Sequence, residues 1–130
     1  MEEVYEFLKN CGTYYLATVE GDQPRVRPFG TVDLFEGKIY IQTGLKKEVA
    51  KQMLTNPKIE ISAMYKGRWI RLAAQAVLDE RVEAQAHLLA NYPSLEKMYQ
   101  AGDGNTAVFY LKDAAADICS FTEEARTIRF

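Results

Sequence analysis

Hydrophobic and polar residues change their spacing several times along this chain, and each change marks an element. Val4, Phe7 and Leu8 share one face of a helix over Glu2–Asn10, and Gly12 follows where a helix C-terminus favours a left-handed residue. Thr13–Val19 is dense in β-branched and aromatic residues and ends at Glu20-Gly21-Asp22, a turn sequence, so it predicts the first strand. From Arg25 to Leu34 the alternation is poor. Val26, Phe29, Val32 and Leu34 still supply apolar points before Glu36-Gly37 turns the chain into Lys38–Gln42, which predicts two strands joined as a hairpin. Val49, Ala50, Met53 and Leu54 then recur at helical spacing over Lys47–Thr55, and Asn56-Pro57 stops that helix.

Lys58–Tyr65 returns to alternation, Lys66-Gly67 turns, and Trp69–Leu78 completes a second predicted hairpin. Arg81–Ala90 has helical spacing, Tyr92-Pro93 breaks it, and Leu95–Tyr99 adds a further turn before the loop Gly102-Asp103-Gly104-Asn105. Val108–Leu111 and Asp117–Thr122 predict two late strands, and Thr127–Phe130 a last edge strand. About seven short antiparallel strands with helices inserted between them predict a mainly β chain closed as a barrel, because closure removes exposed sheet edges. With no repeat, low-complexity tract or linker, residues 1–130 are expected to form one domain.

Charge narrows the partners. Sixteen basic residues against 18 acidic ones give a net charge of -2, so no overall field favours nucleic acid or an anionic membrane, and any anion site must be local. No apolar run approaches the roughly 20 residues that cross a bilayer, and the start Met1-Glu2-Glu3-Val4 is acidic, so a soluble, cytoplasmic protein is expected. Cys11 and Cys119 form no Cys-x-x-Cys pair, which argues against a zinc site or a redox dithiol and for two reduced, mostly buried thiols.

Two segments could make a local anion site. In Arg25-Val26-Arg27, strand geometry sends both guanidinium groups to one face, where they meet either solvent or an anion that suits the planar fork. In Thr43-Gly44-Leu45-Lys46-Lys47, a hydroxyl, a loosened backbone and two ammonium groups precede a helix start, where free N–H groups and the dipole favour negative charge. Lysines are mismatched to the positive end of a helix unless an anion neutralises both. The segment is not a nucleotide P-loop, since one Gly precedes two lysines and a Glu, and no Gly-x-Gly-x-x-Gly occurs.

Other chemistry is thin. His87 is the only histidine and has no second ligand at an interpretable spacing, so it is expected to be a surface or core-edge residue, and no catalytic triad can be assembled around it. Trp69, the only tryptophan, is either a half-buried core anchor or a flat wall for a planar ring ligand. Residue chemistry alone leaves both open.

In order and spacing, these pieces resemble the FMN-binding split-barrel proteins related to pyridoxamine 5'-phosphate oxidase, in the branch of short general-stress-like members. The series runs from Tyr14–Val19 and Pro24-Arg25-Val26-Arg27-Pro28, through Ile39-Tyr40-Ile41-Gln42-Thr43 with Lys46-Lys47-Glu48-Val49, to Asn56–Ile61, Trp69–Leu72 and Ala107–Leu111. The resemblance implies a split β-barrel of Greek-key type that binds FMN. It implies that Arg25, Val26 and Arg27 line the flavin ring and ribityl chain, that Gln42, Thr43, Lys46 and Lys47 approach the phosphate, and that Arg27 is the cation beside the ring. Trp69 corresponds to a position contributed by the partner subunit, which implies a homodimer with flavin at the subunit interface. The longer pyridoxamine phosphate oxidases handle substrate with an Arg and a His near their end, whereas this chain ends at Thr127-Ile128-Arg129-Phe130, so vitamin B6 oxidation is not expected. The leading expectation is an FMN-dependent oxidoreductase acting on an unidentified small molecule. The alternatives are a non-catalytic flavin-binding or stress-sensing module, and a split barrel that holds haem or a deazaflavin.

Overall fold

The computed structural model describes residues 1–130, and the alternation of period two and period 3.6 becomes eight strands, three helices and one 3₁₀ turn. In chain order these are α1 (Glu2–Cys11), β1 (Tyr14–Glu20), β2 (Gln23–Phe29), β3 (Asp33–Phe35) and β4 (Lys38–Gly44). Then follow α2 (Glu48–Thr55), β5 (Lys58–Tyr65), β6 (Arg68–Asp79), α3 (Val82–Ala90), the 3₁₀ turn Pro93–Lys97, β7 (Thr106–Ser120) and β8 (Arg126–Arg129). The strands lie in the order β2-β1-β5-β6-β7-β4-β3, with β8 added on β7, and every pairing is antiparallel. No membrane-spanning length of apolar helix is present.

Strand alternation builds the interior. Ile59, Ile61 and Ala63 of β5 and Ile70, Leu72, Ala74 and Ala76 of β6 point inward, between exposed Lys58, Glu60 and Arg71. The helices cover this core with Val4 and Leu8 from α1 and with Val49, Ala50 and Met53 from α2. Burying a side chain such as Ile61 or Leu72 stabilises the fold by about 1.5–3 kcal/mol, and neither is exposed at all.

Two strand boundaries depart from the sequence expectation. The weakly alternating stretch Arg25–Leu34 is two strands, β2 paired along its length with β1 and β3 paired with β4. They sit at opposite ends of the strand order and are joined only by Gly30-Thr31-Val32. The backbone therefore bridges the seam of the barrel while no ladder crosses it, which is what makes the barrel split. The poor alternation of Arg25–Leu34 reflects an edge strand, exposed over most of its length, running into a buried crossover.

The two late strands expected around Val108–Leu111 and Asp117–Thr122 are one, β7. Lys112-Asp113 looks like a turn but is a kink, with Asp113 at φ 52°, a conformation that Asp tolerates better than most residues. At this kink one edge of β7 changes partner from β4 to β8, and the β6 register shifts between Ala73 and Gln75 on the other edge. Ala114 and Phe130 then exchange N–H···O bonds of 2.7 and 3.0 Å, which anchors the C-terminus.

Candidate cofactor pocket

The crossover between β2 and β3 is tied down before it can serve as a wall. The Tyr14 hydroxyl, fully buried and pushed above the ordinary tyrosine range chiefly by that burial, donates to the Thr31 carbonyl at 2.6 Å. Gln42 N–H donates to Thr31 Oγ1 at 3.1 Å. The Tyr92 hydroxyl donates to the Val32 carbonyl at 3.1 Å and accepts from Val32 N–H at 2.9 Å. Beside this linker opens a pocket of about 330 Å³. Its floor is Gly30 and Thr31 with Gln42 and Thr43 from the end of β4, and Lys47 stands at its rim. Leu95, Met98 and Tyr99 from the segment around the 3₁₀ turn, with Tyr92, form the facing wall.

The loop from β4 into α2 gives this pocket its electrostatic character. Lys47 is the residue before the helix, in extended conformation, and its side chain makes no capping bond. No carboxylate lies within ion-pair distance of Lys46 or Lys47. Glu48 and Val49 N–H, at the head of α2, have no acceptor in the protein. Unpaired ammonium, free amides and the helix dipole together favour an anion.

Of the candidate residues, the pocket gathers Gln42, Thr43 and Lys47. Arg25, Val26, Arg27, Lys46 and Trp69 do not line it. Arg25 is exposed and bridges to Glu20 at 2.9 Å. Arg27 is half-buried and donates to the Leu16 carbonyl at 3.0 Å and to Gln52 Oε1 at 2.8 Å. Burial, and then the neighbouring Arg25, lower its affinity for a proton, yet no carboxylate pairs with it. Val26 points to solvent from the edge strand. Trp69 is on the outer face of β6, 4.9 Å from the Phe121 ring, on the surface that also carries exposed Tyr15 and Met64. The two cysteines are free, with Cys119 buried and Cys11 half-buried.

Sequence reasoning missed the facing wall. Tyr92 and Tyr99 appeared as a helix breaker and the end of a turn, and only their aromatic size hinted at a lining role. It also missed the partner of His87, whose Nδ1 is 2.6 Å from Asp33 Oδ2. Asp33 is almost wholly buried, Asn91 Nδ2 donates to its other oxygen at 2.9 Å, and Phe35 lies against the imidazole at 4.4 Å. A pair 54 residues apart leaves no local signal. Nearby, Arg81 holds the Asp79 carboxyl well below the usual carboxylate range. Burial, followed by donation to Asp79 at 2.7 Å, pushes the Tyr40 hydroxyl up to about 12.

Fold and pocket together define a split barrel whose strand-to-helix loop carries two lysines without carboxylate partners. The chain belongs to the pyridoxamine 5'-phosphate oxidase family, whose model matches residues 1–118. It is similar to a NimC/NimA family protein from Clostridium acetobutylicum, with 49% identity and a TM-score of 0.96 over 100% of this chain and 92% of that one. The fold is also that of General Stress Protein 26 from Bacillus anthracis, with 15% identity and a TM-score of 0.75 over 99% of this chain and 98% of that one. It is likewise that of HutZ, described as the haem storage protein of Vibrio cholerae, with 17% identity and a TM-score of 0.64 over 85% and 87%. No curated protein matches the chain.

Proposed function

We propose that this chain binds FMN and works as a flavin-dependent oxidoreductase on a small molecule, as a homodimer. The observation that carries the reading is that Thr43 and Lys47 line one pocket, and that the amides following Lys47 at the head of α2 are free. These groups fit a phosphate, and the apolar wall of Leu95, Met98 and Tyr99 fits the body of a ring ligand. Family membership supports the same reading.

In this scheme Thr43 Oγ1, Lys47 Nζ and the Glu48 and Val49 amides hold the phosphate, and Gln42 orients the chain that leads from it. The bound isoalloxazine supplies the electron transfer, while the protein supplies position and charge. Lys46 adds positive potential from the exposed side of the loop. Arg25, Val26, Arg27 and Trp69 lie on surfaces that a second copy would cover, the exposed edge of β2 and the apolar outer face of Tyr15, Met64, Trp69 and Phe121. A subunit junction there would bring this face to the flavin as its second wall, with Arg25 still paired to Glu20 and Arg27 still held by the Leu16 carbonyl and Gln52. The pocket presents no imidazole, so haem bound in it would find no histidine from its own lining.

Titration of both flavins, followed by fluorescence, with light scattering for mass, tests the proposal. FMN should bind at least about tenfold more tightly than riboflavin, because charge-assisted contacts to the phosphate contribute about 1.5–3 kcal/mol each. The mass should be that of two chains. Equal affinities, or a monomer that binds FMN at full strength, would overturn the site and its dimeric form respectively.

A further inference from the structure

Two successive amides of the Thr43–Lys47 loop end on a single distant residue. Leu45 N–H donates to the Asn105 carbonyl at 2.7 Å, and Lys46 N–H donates to Asn105 Oδ1 at 3.0 Å, across 59 positions of sequence. Asn105 is itself fixed. The Asp103 carboxylate accepts from the N–H groups of Gln100, Asn105 and Thr106 at 3.0, 2.8 and 2.6 Å, and from the Thr106 hydroxyl at 2.9 Å. These donors hold the Asp103 carboxyl well below its ordinary range.

The contact is close enough to constrain the sequence of the loop. A Cβ on Gly44 would lie 3.1 Å from Asn105 Nδ2 and equally near the Tyr99 ring, so any side chain there would push Asn105 or Tyr99 aside by a few tenths of an ångström; the constraint is close approach and not a left-handed backbone. Tyr99 is at the same time part of the pocket wall. One short segment, Tyr99–Asn105, thus shapes the wall and fastens the loop opposite. With the Leu45 and Lys46 amides taken by Asn105, and Lys47 N–H by the Gly44 carbonyl at 3.0 Å, the first unsatisfied donors are those of Glu48 and Val49.

We infer that Asn105 is a positioning and specificity-determining residue. By clamping the Leu45–Lys46 backbone it aims Lys47 and the α2 amides at the phosphate, and so sets the preference for a phosphorylated over an unphosphorylated flavin. This inference rests on the FMN reading above. The physical basis is preorganisation: a loop held in its binding geometry before the ligand arrives has less ordering to do when the ligand binds. Asn105 does not line the pocket and carries no charge, so it acts on geometry alone.

The test compares FMN and riboflavin affinities, each over a range of salt, in wild type, Asn105→Ala and Gln85→Ala. Gln85 Oε1 accepts from Gly102 N–H at 2.8 Å, so its removal loosens the same segment without touching Leu45 or Lys46. Asn105→Ala should lower FMN affinity about tenfold, keep riboflavin affinity, and keep the wild-type salt dependence because no charge is lost. Gln85→Ala should keep the FMN-to-riboflavin ratio. Amide exchange at Lys46 should rise in Asn105→Ala and return to wild type in Asn105→Asp, which restores an acceptor. Should Asn105→Ala not fold, Asn105→Ser, whose side chain is one atom shorter, serves in the same comparison. An unchanged ratio in the Asn105 variant, or an equal fall for both ligands or in both variants, overturns the positioning role. A wild type that does not distinguish the two flavins overturns the phosphate reading itself and this inference with it.

Discussion

Two basic segments of this chain look alike in sequence and behave differently in the fold. On β2, Arg25 is paired with Glu20, and Arg27 gives its donors to the Leu16 carbonyl and Gln52. In the β4–α2 loop, Lys46 and Lys47 have no carboxylate within reach, and Lys47 stands at the rim of the pocket beside unsatisfied amides. The arginines are absorbed by the protein; the lysines are left for something else. A cation marks an anion site only after its internal partners have been counted, and that count is not available from spacing.

The sharpest way to test this contrast is Lys47→Ala. Lys47 makes no capping bond and is exposed, so its removal should leave stability within about 0.5 kcal/mol of wild type. FMN affinity should fall by at least about tenfold in low salt, and by less in high salt, where screening has already weakened the charge in wild type. Flavin-fluorescence titration at two ionic strengths reads both effects. An unmoved affinity would make Lys47 an ordinary solvated residue.

Arg27→Ala should show the opposite profile. It strips donors from a buried carbonyl region and from Gln52 Oε1, which also accepts from the Thr18 hydroxyl, so the cost falls on the fold. We expect a loss of about 1–2 kcal/mol in urea unfolding. Arg27→Lys should recover only part of it, because a single ammonium cannot serve both acceptors in the planar geometry of the fork. Should Arg27→Ala unfold at the wild-type midpoint yet lose FMN, the arginines and lysines would belong to one site after all.

The same accounting explains what could and could not be seen in the sequence. The α1 and α2 helices, the β5–β6 hairpin and the strand-to-helix loop were legible because each is specified locally, by period, by a turn sequence such as Lys66-Gly67, or by a breaker such as Asn56-Pro57. Thr43-Gly44-Leu45-Lys46-Lys47 drew notice for its chemistry and does reach the pocket. The split of Arg25–Leu34 and the fusion of the two late strands were not legible, since both depend on which strand lies alongside. Gly30-Thr31-Val32 is a crossover because β2 and β3 have different neighbours, and Lys112-Asp113 is a kink and not a turn because β6 continues past it. The facing wall of Tyr92, Leu95 and Tyr99, the buried partner of His87 and the clamp at Asn105 all join positions far apart in the chain. Family resemblance, resting on order and spacing, carried the fold where local patterns ran out.

A smaller effect separates a well-paired arginine from the lysines by pH. Arg81 donates to Asp79 and to Glu36, and Tyr40 adds a further donor to Asp79. The Asp79 carboxyl is depressed in the fold, so its contribution to stability is complete above the ordinary carboxylate range and is lost as pH falls below it. Tyr40 is raised to about 12, so its contribution is complete below the ordinary tyrosine range and is lost as pH rises toward that value. Unfolding midpoints from neutral to acidic pH should therefore fall less steeply in Asp79→Asn than in wild type. Lys47→Ala should follow the wild-type acid profile, because no carboxylate depends on it.

The smallest expected effect is that of Arg25→Ala, and it bears most directly on the contrast. The bridge to Glu20 is solvent-exposed on both sides, with side chains 51% and 46% accessible. Exposed pairs of this kind contribute about 0–1 kcal/mol, because the charges are already well solvated and holding two long side chains in one geometry costs entropy. Stability should therefore move by less than about 0.5 kcal/mol. FMN affinity should change far less than in Lys47→Ala, since Glu20 neutralises Arg25 and keeps it from acting as a free cation toward the pocket. Glu20→Gln supplies the counterpart: freeing Arg25 from its carboxylate should, if anything, strengthen anion binding and steepen its dependence on salt. Urea unfolding and FMN titration of the two variants side by side decide the matter. A tenfold loss of FMN in Arg25→Ala would show that the ligand draws Arg25 away from Glu20, and that the two basic segments act together once it is bound.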